Sequence, residues 1–231
     1  VSSQLIVALD VATKKEAENV AGRLNPRDCA VKIGPVLFTR TGPLLVEQLV
    51  RQGFRVFLDL KFHDIPNTVA EACRAAADLG VWMLNVHALG GEAMLYAARR
   101  ALESYGDTKP LLIAVTVLTS MGDKDVKPLG FTSVWPLVKQ LAQLTQMMAL
   151  DGVVCSAQEV VRIKKEVSGS LCTVTPGIRL PGDALHDQTR VVTPEDAALL
   201  GCDYIVMGRS ILESPDPMVT VEKVLHMMRL L

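Results

Sequence analysis

Eight short runs of aliphatic and β-branched residues alternate with segments of helical spacing along this chain of 231 residues, and that alternation constrains the fold more than any other feature. The runs are LIVAL at 5–9, AVKIG at 30–34, VFLDL at 56–60, WMLNV at 82–86, LLIAVTV at 111–117, GVV at 152–154, LCTV at 171–174 and YIVMG at 204–208. They are apolar on both faces, which suits parallel strands covered by helices better than half-exposed antiparallel ones. Three of the intervening segments open on a capping box, at Thr13-x-x-Glu16, Thr68-x-x-Glu71 and Ser156-x-x-Glu159. Thr193-Pro194 supplies a cap followed by proline at the first helical position. Further helices are expected over 36–52, 91–104, 134–149 and 210–229. Eight repeats of strand and helix in this length predict an α/β fold of the (β/α)8 TIM-barrel type, with a doubly wound open sheet as the structural alternative.

No linker rich in Pro, Gly or Ser divides the chain, so residues 1–231 read as a single barrel domain. Two connections exceed the usual length, about 119–132 after the fifth strand and about 176–192 after the seventh. Long connections in compact domains are usually functional, and both follow strand C-termini, the catalytic end of a barrel.

Composition narrows the classes of partner. Hydrophobic residues make up 49% of the chain against 21% charged, enough for a packed core. Lys plus Arg number 24 and Asp plus Glu 25, so no global field attracts nucleic acid or an anionic membrane. An anionic ligand must be held locally. The five cysteines are widely spaced and lie mostly in apolar runs, as buried thiols of a reducing compartment do. No C-x-x-C or H-E-x-x-H pattern occurs, so no metal site is expected. The first ten residues lack a signal-peptide pattern, and no apolar run reaches about 18 residues, which makes cytoplasmic localisation the expectation.

Polar residues end almost every predicted strand: Asp10, Lys32, Asp59 with Lys61, Asn85 with His87, Thr116, Ser156, Thr175 and Arg209. The densest cluster lies at 57–68, where Asp59 and Lys61 stand two residues apart and share one strand face. Charges in an otherwise buried run are costly unless paired or functional. Asp59 and Lys61 can be read as an ion pair closing the barrel top or as part of a site.

The motif Asp59-x-Lys61-x-x-Asp64-Ile65-Pro66-Asn67-Thr68 resembles the signature of the orotidine 5'-monophosphate decarboxylase family. The likeness extends through VALD at 7–10, KIG at 32–34, TVLTS at 116–120, TPGIR at 175–179 and VMGR at 206–209. The D-x-K-x-x-D core also occurs in hexulose-phosphate synthases and ketogulonate-phosphate decarboxylases; Ile65 to Thr68 and TPGIR favour the nucleotide enzymes.

The resemblance implies a cofactor-free homodimer that decarboxylates orotidine 5'-monophosphate to uridine 5'-monophosphate and carbon dioxide, the last step of de novo pyrimidine biosynthesis. It implies an alternating array of Lys32, Asp59, Lys61 and Asp64, with Asp64 and Thr68 reaching across the dimer interface. Lys61 would deliver a proton to C6, its ammonium form favoured by flanking carboxylates. That argues against a Schiff-base lysine, which must be neutral. Asp59 would lie near the substrate carboxylate.

The resemblance also assigns Arg209 and Gln188 to the phosphate, Ser120 to the pyrimidine amide edge, and Asp10 with Lys32 to the ribose hydroxyls. Pro176, Arg179 and Gly208 join the substrate contacts, and Arg179 also stands at the base of the 176–192 connection, where it would anchor it. Glycine and arginine after strands seven and eight suit phosphate, because backbone N–H groups and a guanidinium converge there. His63 and His87 read as packing residues. Two other readings stay open: a magnesium-dependent sugar-phosphate lyase of 3-hexulose-6-phosphate synthase or 3-keto-gulonate-6-phosphate decarboxylase type, and a silent nucleotide-binding barrel.

Overall fold

The computed structural model describes residues 3–182 and 192–229. Within them eight parallel strands close on themselves in sequence order, β1 pairing with both β2 and β8. The strands are β1 (Gln4–Ala8), β2 (Ala30–Ile33), β3 (Val56–Phe62), β4 (Met83–His87), β5 (Leu111–Val115), β6 (Gly152–Val154), β7 (Cys172–Thr175) and β8 (Tyr204–Met207). Each predicted run contains a strand within a residue or two of its expected limits. Closure excludes the doubly wound alternative.

The runs are apolar on both faces because each face meets its own core. Inward residues Ile6, Ala8, Ala30, Phe57, Met83, Ile113, Val174 and Val206 pack together inside the barrel. Their neighbours Leu5, Val7, Val31, Leu58, Leu84 and Ile205 pack outward beneath the helices. Burying each large side chain contributes about 1.5–3 kcal/mol. The inner cluster makes a solid floor below the C-terminal mouth, so at that end of the barrel interior a cavity opens above it.

The helices are α1 (Lys14–Ala21), α2 (Pro35–Thr41), α3 (Pro43–Arg51), α4 (Pro66–Asp78), α5 (Gly91–Ala101), α6 (Asp123–Val126), α7 (Val134–Met147), α8 (Ala157–Glu166), α9 (Pro194–Leu199), α10 (Arg209–Leu212) and α11 (Pro217–Arg229). Of the three expected capping boxes, that at Thr13 with Glu16 forms in full; at Ser156 the Glu159 carboxylate accepts the Ser156 N–H at 2.8 Å while the serine side chain makes no capping hydrogen bond. Thr193 also caps α9 with Pro194 in the first turn.

The third capping box does not form. Pro66 begins α4 and Ile65 takes the capping position, so Thr68 lies inside the first turn. Proline tolerates this place because it has no N–H to satisfy. The helix expected over 36–52 divides at Gly42, whose φ of +63° precedes Pro43. The one over 210–229 divides before Pro217, and that over 91–104 ends at Ala101. The connection at 119–132 carries α6 and a single 3-10 turn at Lys127–Leu129.

Candidate active site

The inward positions just above the apolar floor are charged. Lys32, the next inward residue after Ala30, lies 3.1 Å from Asp10 Oδ1 and 3.3 Å from Asp59 Oδ2. Asp59, inward after Phe57, accepts from Lys61 Nζ at 2.7 Å through its other oxygen. Asp10, Lys32, Asp59 and Lys61 therefore form one chain of alternating charge across β1, β2 and β3. Lys32 is 8% exposed and Asp59 9%. Burial alone would lower the affinity of Lys32 for its proton, but the Asp59 and Asp10 carboxylates together outweigh it and hold this ammonium above its ordinary range.

Lys61 reaches its place through an irregular backbone. Between Leu58, paired with Leu84, and Phe62, paired with Val86, β3 advances four residues while β4 advances two. Lys61 takes a φ of +52° within this bulge. A non-glycine residue there costs about 1–3 kcal/mol unless its surroundings hold it. Its N–H donates to Asn85 Oδ1 at 2.8 Å, and Asn85 Nδ2 donates to Asp59 Oδ1 at 2.7 Å. Asn85 is fully buried. The expectation that Asp59 and Lys61 meet holds, but the bulge and the Asn85 bracket bring them together, not simple strand alternation.

The four charged residues border a cavity of about 470 Å³ at the C-terminal mouth, a size suited to a small-molecule ligand. Its opposite wall comes from the segments after β7 and β8: Pro176, Gly177, Arg179, Gly208 and Arg209 all line it. Gly177 has a φ of +84°, a conformation other residues rarely adopt, and it turns the chain so that Arg179 faces the cavity. Arg179 is 7% exposed, and its Nε has no hydrogen-bond partner among the described residues. A buried guanidinium with an uncommitted N–H suits an anion. The backbone beyond it is fixed by the Ile178–Val192 bridge and by the Arg179 N–H to Val192 carbonyl bond at 3.1 Å.

Three expected contacts stand apart from this cavity. Asp64 and Thr68 line a separate shallow concavity between β3 and α4, and Asp64 Oδ1 accepts the N–H of Ile65 at 2.7 Å. Lys61 borders both spaces. Ser120 is exposed, while its neighbour Thr119 lines the cavity. Gln188 lies outside the described residues. Sequence reasoning noted Asn85 only as a polar strand end and did not single out Thr119. An amide inside the buried run WMLNV was the available signal for the former.

Other chemistries find less support. Burial pushes the thiols of Cys29, Cys73 and Cys172 up to about 12, far from a reactive thiolate. His63 and His87 stack with ring centroids 5.3 Å apart. Burial, followed by the nearby His63 and Lys61 charges, lowers the His87 pKa. Among the described residues no group of three or more His, Cys, Asp and Glu is placed to hold a metal ion, and no helix is long and apolar enough to cross a membrane.

A closed parallel barrel that floors its interior with apolar side chains and gathers opposed charges in its C-terminal mouth has the architecture of a (β/α)8-barrel enzyme. The sequence pattern of the Orotidine 5'-phosphate decarboxylase / HUMPS family matches residues 3–224, and the chain belongs to that family. It is 53% identical over 222 residues to an orotidine 5'-phosphate decarboxylase of Saccharophagus degradans, covering 96% of this chain and 93% of that one. A Klebsiella pneumoniae protein of the same name is 53% identical over 224 residues, covering 96% of this chain and 91% of its own. The crystal structure of orotidine 5'-phosphate decarboxylase from Lactobacillus acidophilus superimposes with a TM-score of 0.87 at 35% identity, covering 98% and 99% of the two chains.

Proposed function

We propose that the chain is a carboxy-lyase that converts orotidine 5'-monophosphate to uridine 5'-monophosphate and carbon dioxide, the last step of de novo pyrimidine biosynthesis. The observation that carries this reading is the alternating Asp10, Lys32, Asp59, Lys61 chain along one wall of the cavity. A binding protein gains nothing from buried charges of both signs that await a ligand, whereas a reaction that expels one anion and creates another can use both. The 53% identity to relatives named for this activity favours it over the sugar-phosphate lyases of the same broad family.

In this mechanism the C6–carboxylate bond breaks, carbon dioxide leaves, and the bonding electrons stay on C6. The Lys61 ammonium, fixed by Asp59 at 2.7 Å, stabilises that charge and transfers its proton to C6. Water then restores the ammonium. Asp59 stands near the substrate carboxylate, so repulsion in the bound substrate is relieved as the carboxylate departs as a neutral molecule. Lys32 pairs with the far oxygen of Asp59 at 3.3 Å and, with Asp10, takes the ribose hydroxyls.

The phosphate is assigned to Arg209, Gly208 and Gln188, with Arg179 and Pro176 on the cavity wall; Ser120, exposed beside the cavity-lining Thr119, would have to turn inward to meet the pyrimidine edge. The phosphate's binding energy, drawn from a non-reacting group, supports the chemistry at C6. The single domain spans 1–231, acts in the cytoplasm without a cofactor, and pairs as a homodimer. In the dimer Asp64 and Thr68 complete the partner's site. Supporting that assembly, both residues face a concavity outside the main cavity, and Ile65 beside them is 68% exposed.

The test is the loss of orotidine 5'-monophosphate absorbance on adding purified protein, with and without a chelator. Turnover insensitive to the chelator is expected. Absence of turnover, together with magnesium-dependent activity on a hexulose or ketogulonate phosphate, would replace this reading with the sugar-phosphate one.

A further inference from the structure

Lys61 has a conformation that its own residue type disfavours, and the side chain bracketing it comes from the neighbouring strand. We propose that Asn85 is a positioning residue for the proton donor: its carboxamide, clamped between the Lys61 backbone N–H and the Asp59 carboxylate, holds Lys61 in its left-handed turn with Nζ over the cavity. The proposal rests on the assignment of Lys61 as proton donor.

The geometry forms a closed circuit. Asn85 Oδ1 accepts the Lys61 N–H at 2.8 Å, Asn85 Nδ2 donates to Asp59 Oδ1 at 2.7 Å, and Lys61 Nζ donates to that same oxygen at 2.7 Å. Both ends of the Lys61 residue, backbone and ammonium, are thereby referred to one buried amide. Two extra residues in β3 move the Lys61 N–H out of the regular ladder, and a side-chain carbonyl takes the place of the missing backbone acceptor. A buried N–H needs such a partner.

The circuit also dictates the chemistry at position 85. One atom must accept and its neighbour must donate. Leucine supplies neither. Ionised aspartate accepts at both oxygens and sets a second carboxylate against Asp59. Protonated aspartic acid, in contrast, accepts through its carbonyl and donates through its hydroxyl, as asparagine does. The titratable groups around this position are Asp59 and Lys61 on β3, Lys32 on β2 through the far oxygen of Asp59, and His87 two residues along β4.

The experiment compares native protein, Asn85→Asp, Asn85→Ala and Lys61→Ala on orotidine 5'-monophosphate between pH 5 and 8. It measures kcat, KM and the affinity for uridine 5'-monophosphate. Asn85→Ala is expected to lower kcat about 100-fold, the scale of a 1 Å misplacement, with KM and product affinity nearly unchanged. Asn85→Asp is expected to approach native kcat at the acid end. Its ratio to native should then fall about tenfold per pH unit once the new carboxyl, raised by burial and by Asp59, ionises. A crystal structure of either variant at pH 8 is expected to show Lys61 relaxed to negative φ.

A kcat ratio for Asn85→Asp that is flat with pH overturns the proposal, as does native kcat in Asn85→Ala. If Asn85→Ala does not fold, Asn85→Asp decides alone, and failure to recover activity in acid counts against the proposal. Lys61→Ala separates the two ideas. Activity retained there removes the donor assignment itself, whereas an inactive Lys61→Ala beside native-like Asn85 variants removes only the role of Asn85.

Discussion

The two ends of the barrel use the same ion-pair chemistry for opposite purposes. At the N-terminal end, Asp203 accepts from Lys164 Nζ at 2.6 Å, from the Thr173 N–H at 2.8 Å and from Thr173 Oγ1 at 3.0 Å. Asp151 accepts the Leu112 N–H at 2.8 Å, and Arg55 donates to Gln4 at 2.6 Å while lying over the Trp82 ring. These groups tie strands to one another and to helices. At the C-terminal end, Lys32, Asp59 and Lys61 bind mainly each other and border open space. Ion pairing by itself therefore does not mark a site. What marks it is charge that borders a cavity above a sealed apolar floor, with part of its bonding capacity left for a ligand.

Substitutions at the two ends should separate activity from stability. The largest effect is expected for Lys61→Ala, which should reduce decarboxylation at least about 10²–10⁴-fold, the contribution of a general acid, while leaving uridine 5'-monophosphate binding largely intact. Retention of most activity would erase the contrast between the ends. Arg209→Ala should weaken phosphate binding by about 1.5–3 kcal/mol, seen as a higher KM or lower turnover. If both constants stay native, the wall after β8 does not hold the phosphate.

At the other end, Asp203→Ala should cost about 1–3 kcal/mol by leaving buried donors without an acceptor, with native kcat. Each kcal/mol should lower the melting temperature by roughly 2–4 °C. A fall in kcat without a fall in stability would show that the N-terminal end takes part in catalysis.

The smallest effect concerns His87. Its folded pKa lies below the ordinary 6.5, so the unfolded chain takes up the proton first. The stability tied to neutral His87 is intact above about pH 6.5 and is lost as pH falls below it. Urea unfolding of His87→Gln should show a smaller loss between pH 7 and pH 5 than the native chain. Identical acid limbs would mean that His87 titrates alike folded and unfolded.

Periodicity made the barrel legible. A strand apolar on both faces must be covered on both, and eight such runs separated by amphipathic helices leave few arrangements. Helix breaks were harder to place because they depend on which proline a helix absorbs: Pro66 starts α4, whereas Pro43 and Pro217 divide longer helical patterns. The charges at Lys32, Asp59 and Lys61 were legible as strand-end anomalies. The contribution of Asn85 was not, since its carboxamide meets Lys61 24 residues away and only through a bulge. Thr119 and Ser120 are adjacent in a turn, and nothing in the sequence distinguishes which of them faces inward.

The two-residue excess of β3 has a consequence for parity. Leu58 and Phe62 both pack outward, as do their partners Leu84 and Val86, because an even surplus leaves the alternation of faces unchanged. A surplus of one in an otherwise regular ladder would turn Phe62 through the barrel wall unless a one-residue bulge absorbed it. Between Asp59 and Phe62 a change of two residues keeps Phe62 on the core side, whereas a change of one must be absorbed by a further bulge or by the connection at 63–65. The strand end is thus a place where the cavity wall can change length by two residues while the outer core keeps Phe62.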